Sequence, residues 1–252
     1  MLRSALHFST DVQDILGEEV DWARLKSEPF TYAIMNDSLL FPEQLISHYE
    51  KVQAKYFQIM KDEQLDYLGD SPKVLYEKTG KGNRFLNPES FIGQMATAEV
   101  SIDTRRFRQL FSDKLSETTN VELHYQHRIH SIEESDAGYK LEGQTVDGST
   151  WRLEADRVVN CLWDGRLKLD EQLGRLPSRP WVYRRKYRLM ITLPEILSEI
   201  PTLTMVLGRY GDLVKWSGRS TYLSWYPTCL QGWCNEISIP QEWEKTSASQ
   251  GG

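Results

Sequence analysis

The chain has 252 residues, 40% of them hydrophobic and 26% charged, with 30 basic against 36 acidic side chains and a net charge of −6. That balance argues against a broad nucleic-acid-binding surface and describes an ordinary soluble globular protein. No apolar run reaches the roughly 18–20 residues that span a bilayer, the first residues lack a secretory h-region, and three cysteines are an odd count that opposes a disulfide framework.

A reducing, cytoplasmic setting is therefore expected. Leu2 to Leu16 predicts a helix, with Leu6, Val12, Ile15 and Leu16 on one side and Gly17 as its stop. FTYAIM (Phe30–Met35) predicts a strand. A long helix is expected to begin at Asp37 or Ser38, with Pro42 near its first turn. Its apolar residues Leu45, Ile46, Tyr49, Val52, Tyr56, Ile59 and Met60 keep helical spacing. Residues 66–93 hold several glycines and prolines and predict loop with short strands.

The central stretch is the most strongly patterned. Asp103 is placed to cap a helix bearing Phe107, Leu110, Phe111 and Leu115. Val121–Tyr125 alternates as a strand. A hairpin is expected to turn at Asp136–Gly138, and a second turn at Asp147–Gly148 completes a meander. Val158, Val159, Cys161 and Leu162 form a short apolar run suited to a strand covered on both faces. Beyond it, Tyr183–Leu193 predicts one long strand. Residues 202–227 predict two or three antiparallel strands, joined at Gly211–Asp212 and Ser217–Gly218. Residues 245–252 are expected to be a disordered tail.

Few side chains announce chemistry. His124, His127 and His130 recur every third residue, but a strand would turn His127 away from the other two, so no metal site is expected. Cys229 and Cys234 match no common metal or redox spacing. Arg184, Arg185, Lys186 and Arg188 suit an anionic carboxylate, or else a strand edge blunted by charge. Trp216, Tyr222, Trp225 and Tyr226 suit a pocket lining, or else core and interface.

The order of the central elements carries more. Glu99, Ile102, Asp103 and Thr104, then a helix, a strand through Ile129, a meander, and Ala155, Asp156, Val158, Val159 and Asn160 follow one another at plausible spacing. This middle third resembles the FAD-dependent oxidoreductases of the D-amino-acid/glycine oxidase (DAO-like) superfamily. One departure lies inside the match: Cys161, Leu162 and Trp163 precede the first glycine, Gly165, where the family has small residues and an early glycine. A Gly-x-Gly-x-x-Gly turn between strand and helix is not found. The nearest stretch, Gly80-Lys81-Gly82-Asn83-Arg84-Phe85, lacks the third glycine.

The resemblance implies an α/β fold (α+β by strict layer count). It would comprise a partial FAD/NAD(P)-binding, Rossmann-like lobe with a β-meander and an antiparallel-sheet substrate lobe. Residues 1–97 would contribute to the substrate lobe, 98–176 would form the partial flavin lobe, and 177–244 the substrate-lobe sheet. It further implies FAD beside Arg128, Ile129, Cys161 and Trp163, with Arg184, Tyr222 and Tyr226 as substrate-binding residues. The expected activity is oxidation of a small amine or hydroxy substrate, with no identified catalytic side chain. The chain is expected to be the interior of such a protein, truncated at both ends, with weak or no FAD binding by itself. The alternative is a non-catalytic interaction module, or an inactive fragment, that self-associates or binds a partner chain.

Overall fold

A computed structural model describes residues 2–63, 65–80, 82–216 and 219–243. Helix α1 (Leu2–Leu16) buries Leu6, Ser9, Val12 and Leu16 along one stripe. Ile15, expected on that stripe, is exposed, because one residue's rotation of about 100° from Leu16 carries it to solvent. Gly17 ends the helix in the left-handed region, φ 70°, with its N–H returned to Gln13 O at 2.7 Å. A single turn, α2 (Trp22–Leu25), and strand β1 (Thr31–Met35) follow.

The long helix α3 spans Pro42–Asp62 and starts later than expected. Phe41, the residue before proline, is held extended, so the helix cannot run back through it. Ser38 instead accepts the Met35 N–H at 3.0 Å, and the Gln44 side chain accepts the Phe41 N–H at 3.0 Å. Strands β2 (Tyr76–Thr79) and β3 (Phe91–Thr97) precede helix α4 (Thr104–Glu117). The Asp103 carboxylate caps α4, accepting from the N–H groups of Arg105 and Arg106 at 3.0 and 3.3 Å.

Strands β4 (His127–Ser135), β5 (Gly138–Thr145) and β6 (Thr150–Ala155) come next, then helix α5 (Arg166–Gln172). The remaining strands are β7 (Tyr183–Lys186), β8 (Leu189–Thr192), β9 (Leu203–Met205), β10 (Gly211–Lys215) and β11 (Ser220–Trp225). A turn of helix, α6 (Tyr226–Cys229), leads into β12 (Leu230–Cys234). The fold is mixed α/β, and its contacts divide it into two compact units.

The first unit comprises Met1–Thr119 and Tyr187–Cys229. Its seven-stranded sheet has the order β2-β3-β1-β9-β10-β11-β8. Only β1 and β9 pair in parallel; every other ladder is antiparallel. The consecutive β1 residues Ala33, Ile34 and Met35 are all buried because both faces are covered. Ala33 and Met35 join Phe91 and Leu203 on one side, and Ile34 joins Leu45, Met95 and Val206 on the other. Helix α4 packs Phe107, Leu110 and Phe111 against Val12, Leu16 and Trp22.

The second unit comprises Asn120–Lys186 and Leu230–Gly252. The β4-β5-β6 meander matches its expected turns, and β12 pairs with β7. A bulge at His130 interrupts β4. From α5, the Gln172 amide accepts the Ile132 N–H at 2.9 Å and donates to His130 O at 3.0 Å, so one side chain satisfies two backbone groups of this edge strand beside the bulge.

Four expected strand features differ. Val121–Tyr125 forms no strand, and neither does Val158–Leu162; Val159 is 84% exposed rather than covered on both faces. Among the described residues neither segment has a ladder partner, and alternation without a partner leaves an extended loop. The expected long strand 183–193 divides at Tyr187–Arg188, its halves pairing with β12 and β11 respectively. The β9–β10 turn falls at Leu207 and Gly208, both with positive φ, and not at Gly211–Asp212. Gly211 is a strand residue whose absent Cβ would lie 1.7 Å from Ser224 O, so close ladder approach explains that glycine. The expected turn at Ser217–Gly218 and the expected tail lie outside the described residues.

Candidate functional site

Within the first unit, α1, α3 and the helix-covered face of the sheet border an open cavity of about 670 Å³. Leu6, Leu45 and Val52, from the apolar stripes of the two helices, and Val206, just after β9, supply much of its apolar wall. Polar character comes from Tyr32 on β1, His48 and Tyr49 on α3, Tyr67, and Glu99 just after β3. The Tyr32 hydroxyl donates to Glu99 Oε2. The Tyr32 and Tyr49 rings meet edge to face at 5.8 Å, and Tyr49 also lies 5.5 Å from Tyr76.

Burial above all, and then the neighbouring Glu99 carboxylate, push the Tyr32 phenol far above the ordinary tyrosine range. Burial likewise raises Tyr49 and Tyr67, with Glu99 adding to both. These phenols are therefore protonated hydrogen-bond donors across physiological pH and do not act as bases. No lysine or arginine among the described residues lines the cavity. Glu99, at its exposed edge, has no cationic partner among the described residues. The arrangement can hold a hydrogen-bond donor or a cation beside an apolar wall.

A second cavity, of about 430 Å³, is lined by Arg24, Lys26, Glu28, Asp103, Arg106 and Trp216 among others. Its basic groups already have partners: Arg24 with Asp21, Lys26 with Asp70, and Arg106 with Asp103. Those pairings leave no unpaired basic group to recruit an anion.

The positions expected beside a cofactor are dispersed in character. Ile129 packs against the Ile132–Leu141–Leu169 core, and Arg128 is exposed on β4. Cys161 is exposed and Trp163 is 95% exposed. Asn160 shapes this loop, donating to Arg166 O at 3.1 Å and Asp170 Oδ1 at 2.9 Å and accepting the Leu162 N–H at 3.2 Å. Of the expected substrate residues, Tyr222 and Tyr226 belong to the first unit and Arg184 to the second. Arg184 lies 5.6 Å over Trp233, and Arg188 lies 5.1 Å over Tyr222. Arginine–aromatic contacts thus occupy both ends of the basic run.

The His124 and His127 rings meet edge to face at 5.3 Å, with His127 also 5.5 Å from Trp151. The expected separation of these two histidines fails because residue 124 precedes the strand. No group of three or more metal-ligating side chains occurs among the described residues. No helix there is long and apolar enough to cross a membrane. The cavity tyrosines and His48 were not singled out by sequence reasoning for chemistry; the available signal was Glu99, an isolated carboxylate directly after a strand.

No protein-family model matches the sequence, and no curated protein matches it. Solved structures do share the fold. Glycine oxidase from Geobacillus kaustophilus superposes with a TM-score of 0.54 at 14% identity, over 88% of this chain and 52% of that one. L-proline dehydrogenase from P. horikoshii superposes with a TM-score of 0.56 at 11% identity, over 98% of this chain and 59% of that one. The chain thus spans somewhat more than half the length of each. At those identities the likeness establishes the fold.

A dinucleotide is held by free backbone N–H groups at a helix start beside a glycine turn. The described residues do not form such a cradle. The start of α4 is occupied by its own carboxylate, Asp103, and α3 opens on a proline whose preceding N–H is taken by Gln44. The seven-residue α5 follows Gly165, whose φ of −81° makes no left-handed turn.

Proposed function

We propose that this chain is part of an FAD-dependent oxidoreductase that oxidises a small amine or hydroxy substrate. The observation that carries this reading is the fold it shares, along most of its length, with glycine oxidase and L-proline dehydrogenase, two oxidoreductases named for small amine-bearing compounds. On this reading Arg128, Ile129, Cys161 and Trp163 lie towards the flavin, and Arg184, Tyr222 and Tyr226 towards the substrate. The described residues supply no dinucleotide cradle, so these side chains are assigned contact and no chemical step.

Flavin fluorescence tests the reading directly. FAD titrated with the purified chain is expected to show weak, saturable quenching, and anaerobic addition of small amines or hydroxy acids should bleach the flavin band near about 450 nm. A folded chain that leaves FAD fluorescence unchanged at high protein concentration refutes flavin chemistry by this chain on its own. A second reading, a non-catalytic interaction module, is favoured by one observation. Val159 and Trp163 are both highly exposed on a segment without a ladder partner. Light scattering that shows a concentration-dependent dimer, abolished by Trp163→Ser, would support that reading.

A further inference from the structure

We infer that the cavity between α1, α3 and the sheet binds a hydrophobic amine, with its ammonium at Glu99 and its hydrocarbon body against Leu45, Val52 and Val206. This inference stands apart from the oxidoreductase reading and requires no flavin.

Charge selects the ligand class. Among the described residues Glu99 is the only acid and no lysine or arginine lines the cavity, so an anion entering it would meet repulsion without a counter-charge. Glu99 Oε2 already accepts the Tyr32 proton, while Oε1 has no partner among the described residues. Glu99 shares the cavity lining with Tyr32, Tyr49 and Tyr67 and adds to the rise in all three phenols. A carboxylate at the edge of an apolar cavity, held by the Tyr32 hydroxyl and lacking a cationic partner among the described residues, suits a ligand cation. The three phenols keep their protons and so add no competing negative charge.

Size and polarity select the rest of the ligand. A volume of about 670 Å³ falls in the range that encloses a small organic molecule. Below the polar edge the wall is aliphatic, with Leu6 and Leu45 almost fully buried. A bare metal ion or a short polar amine would fill little of that volume. An alkyl or aryl amine of about eight carbons would occupy more of it and rest on the aliphatic wall.

The test is calorimetric titration of the flavin-free chain with octylamine, octan-1-ol and octanoate at neutral pH, below their aggregation concentrations. Octylamine should bind about tenfold more tightly than octan-1-ol, and octanoate more weakly than either. Glu99→Gln should erase the amine's advantage while leaving octan-1-ol binding in place. Val52→Trp, which fills the cavity, should weaken both by about tenfold, with far-ultraviolet circular dichroism verifying that each variant is folded. Equal affinity for amine and alcohol, an advantage that survives Glu99→Gln, or no octylamine binding at all would overturn the inference. None of these results bears on FAD quenching, so the two readings fail separately.

Discussion

Replacing Gly143 by alanine should destabilise the meander strongly, and the reason can be worked atom by atom. A Cβ at this position would lie 2.3 Å from Arg128 O and 2.4 and 2.5 Å from Trp151 Cζ2 and Cε2. Ordinary contacts at these atoms begin near about 3.3 Å, so roughly 1 Å of movement is required on two sides at once. Arg128 O belongs to β4 beside the His130 bulge and cannot retreat without loosening the ladder. Trp151 packs against the Ile132–Leu141–Leu169 core, so displacing its ring uncovers apolar surface. Overpacking costs about 1–3 kcal/mol, and partial loss of the indole contact adds about 1 kcal/mol. The expected total of about 2–4 kcal/mol is measurable by urea unfolding followed by circular dichroism. Gly165→Ala is the control in the same unit: its Cβ would meet only Leu162 Cβ at 3.7 Å, and it should stay within about 0.5 kcal/mol of wild type. If Gly143→Ala is equally mild, the close approach of β4, β5 and Trp151 is wrong.

Other expected outcomes follow the same logic. Asp103→Ala removes two cap bonds at the start of α4 and should cost about 1 kcal/mol in thermal or urea unfolding, with Asp103→Asn recovering most of it. Ser9→Ala leaves the buried Leu68 N–H without its 3.0 Å acceptor and should cost about 1–3 kcal/mol, more than an average surface change. Asp37 accepts from Tyr210 and Arg209, which hold its carboxyl below the ordinary aspartate range. Its contribution is therefore complete above the unfolded aspartate value and is lost as pH falls through the lower folded value. The acid limb of the stability curve should flatten in Asp37→Asn.

What the sequence reveals here is local chemistry. Gly17, Pro42, Asp103 and Asp147–Gly148 each act within a few residues, so α1, α3, α4 and the meander turns can be read without knowing their neighbours. Strand status depends on a partner elsewhere. Val121–Tyr125 and Val158–Leu162 have the pattern of strands but no ladder, whereas Gly211 resembles a turn residue and is required by strand proximity. The cavity is hidden for a related reason. Tyr32 and Glu99 stand 67 positions apart, and only the β1–β3 pairing brings them together. Seven strands in one sheet were not foreseeable from any single window, because β1 and β9 come from opposite ends of the chain.

The parallel β1–β9 pair also sets the order in which the molecule can assemble. Joining Thr31 to Leu203 closes a loop of about 170 residues, and an unstructured loop of that length carries a large entropic penalty. Most of the second unit lies within that loop, and its meander forms from adjacent hairpins that close only short loops. Once folded, that unit shortens the effective tether between the halves of the larger sheet. Early meander formation followed by late β1–β9 docking is the kinetic sequence this topology favours. A variant that weakens the meander should therefore slow the final step of refolding without altering any contact in the sheet it completes.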